Sequence, residues 1–360
     1  MKTSILKISQ LEEFLTSEIC RSSEILPVSP ERVASYVNNP RASDDMDVLY
    51  LLIDNDKIVA YRSLLPDWYF SKGEKKSFAW LSGNYVLPEY RRKGLSSALF
   101  KVVESQWDGK LMYTNYAPAS KAVYDKTGSF LLFKERPGTR YYMRSSLKSL
   151  YKERIKYQGL LSLADGILNR IHDPGLHSQN YKLPEDVKVS QITLGDEGIK
   201  EVIENNMSGT LFQRGVKEFQ WITAYPWITT RKKKDSKENY HFSRFASQFE
   251  TKWYRLSHAK NSAFLWIAIV DDKIAVPYFL NEDPLLTVAA RQLVIKTMVE
   301  YRSSYLTIRH PELGPVMGVR KNPFLLKREM SQNYFCHRSL LDDLPEDPEI
   351  MDGDGDCVFT

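Results

Sequence analysis

The stretch from Ser77 to Phe100, SFAWLSGNYVLPEYRRKGLSSALF, constrains this chain more than any other, because it joins a strand to a helix through a short basic loop. Phe78, Trp80 and Leu81, then Tyr85, Val86 and Leu87, supply β-prone residues, with Gly83 interrupting them where a bulge fits. Pro88 has no N–H to give and ends the pairing. After Arg91-Arg92-Lys93-Gly94-Leu95-Ser96-Ser97, apolar residues recur at helical spacing at Leu95, Ala98, Leu99, Val102 and Val103. Unpaired N–H groups converge at such a helix start, its dipole favours negative charge, and small residues permit close approach. The expected ligand carries phosphates.

Three hundred and sixty residues suggest two domains, and 42% apolar with 26% charged residues is a globular composition. A net charge of +5 is mild for this length and suits a phosphate-bearing small ligand without calling for nucleic acid. Cys20, Cys336 and Cys357 lie far apart and form neither a disulfide framework nor a zinc pattern, which fits a reducing, cytoplasmic setting. The N-terminus has no long apolar core of the secretory kind, and no run reaches the ~18 apolar residues of a membrane span. The chain is therefore expected to engage neither membrane nor nucleic acid.

From Asp47, VLYLLIDNDKIVAYRSLL reads as two strands joined by the polar turn Asp54-Asn55-Asp56-Lys57. The second strand closes with PDWYF at 66–70. After the organising stretch come a short strand at 110–113, a brief helix at 120–126 stopped by Gly128, and LLFKERPGTRYYMRSSL at 131–147, read as two strands around Pro137-Gly138. The order β-β-β-α-β-α-β-β implies an α+β fold with a mostly antiparallel sheet. Residues 148–186 read as a helical connector, basic at first and broken at Asp173-Pro174-Gly175.

A second unit spans 187–360 and contains an internal repeat. LLIDNDKIVAYRSL (51–64) matches IAIVDDKIAVPYFL (267–280), with Lys57 opposite Lys273. LLFKERPGTRYYMRSSL (131–147) resembles FLLKREMSQNYFCHRSL (324–340). The second copy keeps a helix at 285–301 but has no Arg-Arg-Lys-Gly-Leu-Ser loop, so the anion seat is expected once.

Residues 47–147 resemble the GNAT superfamily of N-acetyltransferases, whose signature Arg/Gln-x-x-Gly-x-Gly/Ala opens a helix after a strand ending in Val-x-Pro. Here it stands as Val86-Leu87-Pro88-Glu89-Tyr90-Arg91-Arg92-Lys93-Gly94-Leu95-Ser96, with Ser96 in place of the last small residue. The resemblance implies two GNAT-like domains, 1–147 and 187–360, each a mostly antiparallel twisted sheet flanked by helices. It implies acetyl-CoA as the donor, its pyrophosphate on the N–H groups of Arg91, Arg92, Lys93, Gly94, Leu95, Ser96 and Ser97. The pantetheine arm would pair with the strand at Asn84, Tyr85 and Val86, whose N–H groups can also hold the thioester oxyanion. Ala117 to Gly128 is similar to the family's Asn-x-x-Ser-x-x-Leu-Tyr-x-x-x-Gly, with Asn115 offset from the motif's Asn position. Tyr124 then falls where the acid that protonates the departing thiolate often sits, and its alternative is packing on one helix face. A phenol pKa of about 10 suits that transfer.

The base is not legible. Asp67, where the second strand closes, is one candidate; a residue from the C-terminal copy is the other. Trp68, Tyr69 and Phe70 are expected to line the acceptor cavity. The leading expectation is an N-acetyltransferase acting on a primary amine of a small molecule. The alternatives are a Fem-like aminoacyl transferase using aminoacyl-tRNA, with Arg231 to Lys234 as its basic run, and a CoA-binding module without turnover. No metal is expected: Asp352-Gly353-Asp354-Gly355-Asp356 imitates a calcium loop without its later Glu, and the six histidines show no ligand spacing.

Overall fold

The computed structural model describes residues 1–114, 118–151, 153–178, 181–193, 195–231, 239–281, 283–319 and 322–359. The first half contributes β1 (Lys2–Lys7), α1 (Leu11–Thr16), α2 (Glu18–Arg21), α3 (Pro30–Val37), β2 (Asp47–Asp54), β3 (Lys57–Ser71), β4 (Glu74–Val86), α4 (Leu95–Gln106), β5 (Leu111–Tyr113), α5 (Pro118–Thr127) and β6 (Phe130–Tyr142). The connector holds α6 (Leu147–Leu150) and α7 (Gln158–Ser178). The second half adds β7 (Lys188–Gln191), α8 (Glu197–Met207), α9 (Val216–Ala224), β8 (Thr229–Thr230) and β9 (Phe245–Ala246). It continues with β10 (Phe249–His258), β11 (Asn261–Val270), β12 (Lys273–Leu280), α10 (Pro284–Glu300), β13 (Tyr305–Ile308), α11 (Leu313–Met317) and β14 (Leu326–His337).

Local chemistry accounts for many of these boundaries. Asn55 and Asp56 take positive φ, 49° and 60°, as a tight hairpin turn between β2 and β3 demands. Ser29 caps α3 by accepting from Arg32 N, with Pro30 in the first turn, and Asp283 caps α10 ahead of Pro284 in the same way.

Both halves share one twelve-stranded sheet, in the order β1-β2-β3-β4-β5-β14-β6-β13-β12-β11-β10-β7. The last strand of each half is exchanged. β6 leaves the first half to pair with β13, and β14 returns from the second half to pair with β5. The two exchanged strands then pair with each other, antiparallel, from Leu326 opposite Tyr142 to His337 opposite Phe130. The repeats at 131–147 and 324–340 are thus partners at the centre of the molecule. The expected division at residue 147 does not separate two sheets.

The topology corrects three other expectations. Residues 130–142 form one strand rather than two around Pro137-Gly138. β13 reaches only to Thr139, leaving Pro137 in a stretch with a free flank, and Gly138 admits Ile308 O and the Arg309 side chain, where a Cβ would come within 2.8 Å and 2.3 Å. α7 continues through Pro174 to Ser178 instead of breaking. By position in the sheet, the hairpin β11–β12 corresponds to β3–β4, whereas the sequence match had set it against β2–β3. The missing basic loop holds under either alignment, because β12 reaches α10 through residues 281–283 alone.

Packing also crosses the halves. Phe78 and Trp80 of β4 lie against Phe212, and the same core takes in Phe219, Trp266 and Tyr278. At its centre Arg214 bridges Asp67 and Asp354, with Nη2 to Oδ2 at 2.7 Å and Nε to Oδ1 at 3.2 Å.

Candidate active site

β4 and β5 run parallel and pair only at Ala79 with Leu111 and at Trp80 with Met112. Beyond that point they separate, and β4 from Leu81 to Val86 offers its second flank to a ligand. On the β3 side, Ser63 opposes Gly83 and Leu64 opposes Leu81, so Ser82 is the extra residue of a β-bulge. Gly83 is required there: a Cβ would lie 2.4 Å from Ser63 Oγ and 3.3 Å from the Phe242 ring.

The loop after β4 has the conformation of an anion nest. Arg92 has φ 61° and Gly94 φ 77°, and Gly94, which has no side chain to cap with, is the N-cap of α4. Arg91, Arg92, Lys93 and Gly94 are exposed, and Leu95, Ser96 and Ser97 half-buried, so the first-turn N–H groups face an open site. Arg91 Nε donates to Val86 O at 3.0 Å and its guanidinium lies 5.5 Å from the Tyr85 ring.

Below the loop, one hydrogen-bonded chain ties strand, helix and α5 together. Asn84 Nδ2 donates to Ser96 Oγ at 3.1 Å, and Arg62 Nη2 reaches the same oxygen at 3.4 Å. Arg62 Nη1 donates to the Tyr124 hydroxyl at 2.5 Å. Tyr124 is buried among Phe100, Tyr113 and Phe130. Asn84, Ser96 and Tyr124, all expected at the site, come together, and the residue linking them, Arg62, carried no motif. Its signal is a lone arginine within the apolar run of β3. Asn115 lies outside the described residues.

Asp67 is placed elsewhere. β3 continues to Ser71, so Asp67 is mid-strand, five residues or roughly 16 Å of strand beyond the Arg62–Asn84 pair. Its carboxylate accepts from Arg41 Nη1 (2.9 Å), Trp68 N (2.8 Å), Trp80 Nε1 (2.9 Å) and Arg214 Nη2 (2.7 Å). Burial favours its neutral form, but Arg214 and Arg41, with the Trp80 and Trp68 donors, outweigh that and hold its pKa below the ordinary value. A buried carboxylate with every lone pair engaged is a structural junction rather than a proton acceptor.

Trp68, Tyr69 and Phe70 sit at the same far end. Trp68 lies under Lys75 Nζ, 3.4 Å from its ring centroid, Tyr69 is buried with its hydroxyl 3.4 Å from Asp343 Oδ2, and Phe70 N bonds Leu211 O. All three pair with the other end of β4, opposite Ser77, Lys76 and Lys75.

The carboxylate at the bulge comes from the C-terminal tail. Ser82 Oγ donates to Asp356 Oδ2 at 2.8 Å and accepts from Arg32 Nη1 at 3.1 Å. Burial pushes the Asp356 pKa above the ordinary value, with Arg32 and Ser82 opposing it. The tail is fixed on either side. Phe359 stacks on Trp227 at 4.7 Å, Asp354 meets Arg214 and Tyr278, and Asp352 pairs with Arg136 and Arg309 N. The DGDGD run that imitates a calcium loop thus spreads its three carboxylates over three separate sets of partners. Arg32 lies 3.8 Å from the Trp227 ring, and the His241 ring lies tilted against Tyr85 with centroids 4.3 Å apart, completing a wall on the face opposite α4. Among the described residues no helix is long and apolar enough to cross a membrane, and no three His, Cys, Asp or Glu side chains gather as a metal site.

Comparison with known proteins bears on this geometry. Residues 13–128 match the model of the acetyltransferase (GNAT) family. A search of curated proteins by sequence finds no match. Among solved structures, a conserved protein of unknown function from Enterococcus faecalis, described as a probable N-acyltransferase, superposes with TM-score 0.53 at 11% identity over 96% of this chain and 75% of that one. A GCN5-related N-acetyltransferase from Kribbella flavida gives TM-score 0.46 at 14% identity over 93% and 70%. The Saccharomyces cerevisiae N-myristoyltransferase with bound myristoyl-CoA gives 0.49 at 11% over 93% and 78%. The first of these likenesses bears on the fold alone.

Proposed function

We propose that this chain, whose residues 13–128 belong to the acetyltransferase (GNAT) family, transfers an acetyl group from acetyl-CoA directly to a primary amine. The observation that carries the reading is the uncapped, exposed N-terminus of α4 behind Gly94, held against the separated end of β4 by the Asn84–Ser96 bond. The nest at Arg91 to Ser97 receives the pyrophosphate, and the pantetheine arm lies between β4 and β5. The donor enters from the α4 face, and the amine approaches from the face of Ser82 and Asp356.

Asp356 takes the proton from the attacking amine, directly or through Ser82. Its raised pKa brings it nearer the range of a useful base than an exposed carboxylate. As nitrogen bonds to the carbonyl carbon, the thioester oxygen gains charge and strand N–H groups at the bulge stabilise it. The C–S bond then breaks, and the thiolate takes the hydroxyl proton of Tyr124. Arg62, bonded to that oxygen, offsets the negative charge left there. The products are an amide and CoA.

Thiol release over an amine panel, with acetyl-, butyryl- and myristoyl-CoA as donors, tests the reading. Asp356→Asn is expected to lower kcat by roughly 10²–10⁴ with the KM for acetyl-CoA unchanged. A loss below threefold removes Asp356 from the base role, and preference for the longest donor removes the acetyl assignment.

A further inference from the structure

α7 is amphipathic in the reverse of the usual sense. Asp165, Asn169 and Asp173 recur every four residues and face the protein. Asp165 accepts from Ser145 Oγ and from the N–H groups of Leu147 and Lys148, Asn169 bonds both backbone groups of Ser145, and Asp173 pairs with Arg144. The opposite face carries Leu160, Leu163, Ile167 and Ile171 at the same helical spacing, with Leu163 62% and Ile171 73% exposed. The apolar surface does not stop at the helix. Leu168 and Ile171 share an apolar cavity of about 480 Å³ with the exposed Leu325 and Leu326, and Ile155, 81% exposed, extends it ahead of α7. A contiguous apolar patch of this kind marks an interaction surface.

Charge selects the occupant. Lys148, Arg154, Lys156 and Arg170 fall in the same segment as the apolar face, all exposed, while the only exposed acid among the described residues from 147 to 178 is Glu153. Tyr151 and Tyr157, also exposed, fall in that segment too. Apolar face, exposed cations and exposed tyrosines in one segment are the attributes of a helix lying in the headgroup layer of an anionic bilayer. We infer that α7 and the Leu325–Leu326 edge form a peripheral docking surface for an anionic lipid bilayer, without spanning it, the cavity beneath taking part of an acyl chain. This reaches beyond the catalytic reading and does not depend on it.

Co-sedimentation of the full chain with vesicles of phosphatidylcholine alone, or with added phosphatidylglycerol, tests the inference. Binding is expected to the anionic vesicles and to fall steeply with salt. Lys148→Gln with Lys156→Gln should weaken it about 25-fold, since each cation near an anionic surface contributes roughly a fivefold factor. Leu163→Asp with Ile167→Asp should abolish it, and both pairs change exposed side chains only. Failure to bind anionic vesicles, or binding that the Asp pair leaves intact, overturns the proposal. So does a wild-type dimer that the Asp pair converts to monomer, since the face is then an interface between copies.

Discussion

Replacing Asp67 by Asn removes one charge from the centre of the molecule and should destabilise it without touching the chemistry. The side chains of Arg41, Arg214 and Asp67 are 1%, 0% and 2% exposed, so no water is at hand to replace a lost partner. Asn can still accept from Trp68 N and Arg41 on one atom. Its amide NH₂ then faces Trp80 Nε1 and Arg214 Nη2, setting donor against donor where Oδ2 had accepted at 2.9 Å and 2.7 Å. Breaking a buried ion pair from one side costs about 3–5 kcal/mol. Asp67 is also one of the charges that raise the Asp354 pKa, so its removal lets Asp354 ionise more readily beside Arg214 and offsets part of the loss. The expected loss is therefore about 3 kcal/mol, at the low end of that range.

Urea unfolding followed by circular dichroism measures it. The sign with pH follows from the lowered folded-state pKa: the Asp67 contribution is fully present above the unfolded value, about 3.9, and disappears as pH falls below it through the folded value. Wild type and variant should therefore converge in acid. A loss under about 1 kcal/mol refutes the junction. A fall in kcat of about 10³ at unchanged stability would instead return Asp67 to the role of base.

Two further predictions concern the shared architecture. A Cβ on Gly353 would lie 2.2 Å from a Tyr278 ring carbon, so Gly353→Ala should lower stability by about 1–3 kcal/mol in thermal unfolding and reduce kcat by loosening the tail that holds Asp356. Expressed separately, residues 1–147 and 187–360 should each aggregate, because each leaves a central strand edge unpaired, and co-expression should recover soluble protein. Two soluble, folded halves would contradict the strand exchange.

The legible parts were the local ones. The Asn55-Asp56 turn, the bulge at Gly83 and the helix at Leu95 each rest on residues within a few positions of one another, and periodicity and turn chemistry report such contacts directly. The strand exchange was written in the repeat 131–147 and 324–340, yet a repeat does not say which sheet each copy joins. Pro137-Gly138 and Asp173-Pro174-Gly175 read as breaks, because local propensity does not register the free flank of β6 or the bonds from α7 to residues 144–148. Asp67, within PDWYF, reads as a strand end, and only Arg41 and Arg214, distant in sequence, reveal a junction. Asp356 lies within a run that imitates only the start of a calcium loop, and its proposed role depends on Ser82, with which it shares no local pattern.

On the proposed reading, this duplicated fold holds one donor seat, built by the loop the second half lacks. Calorimetric titration of the full chain with CoA tests it most directly. The expected result is one CoA per chain, abolished by Gly94→Glu, which sets an anion in the seat and a side chain at φ 77°, with no atom of the described residues within 4 Å for a Cβ to strike. Two CoA per chain, or unchanged affinity in the variant, would contradict the account.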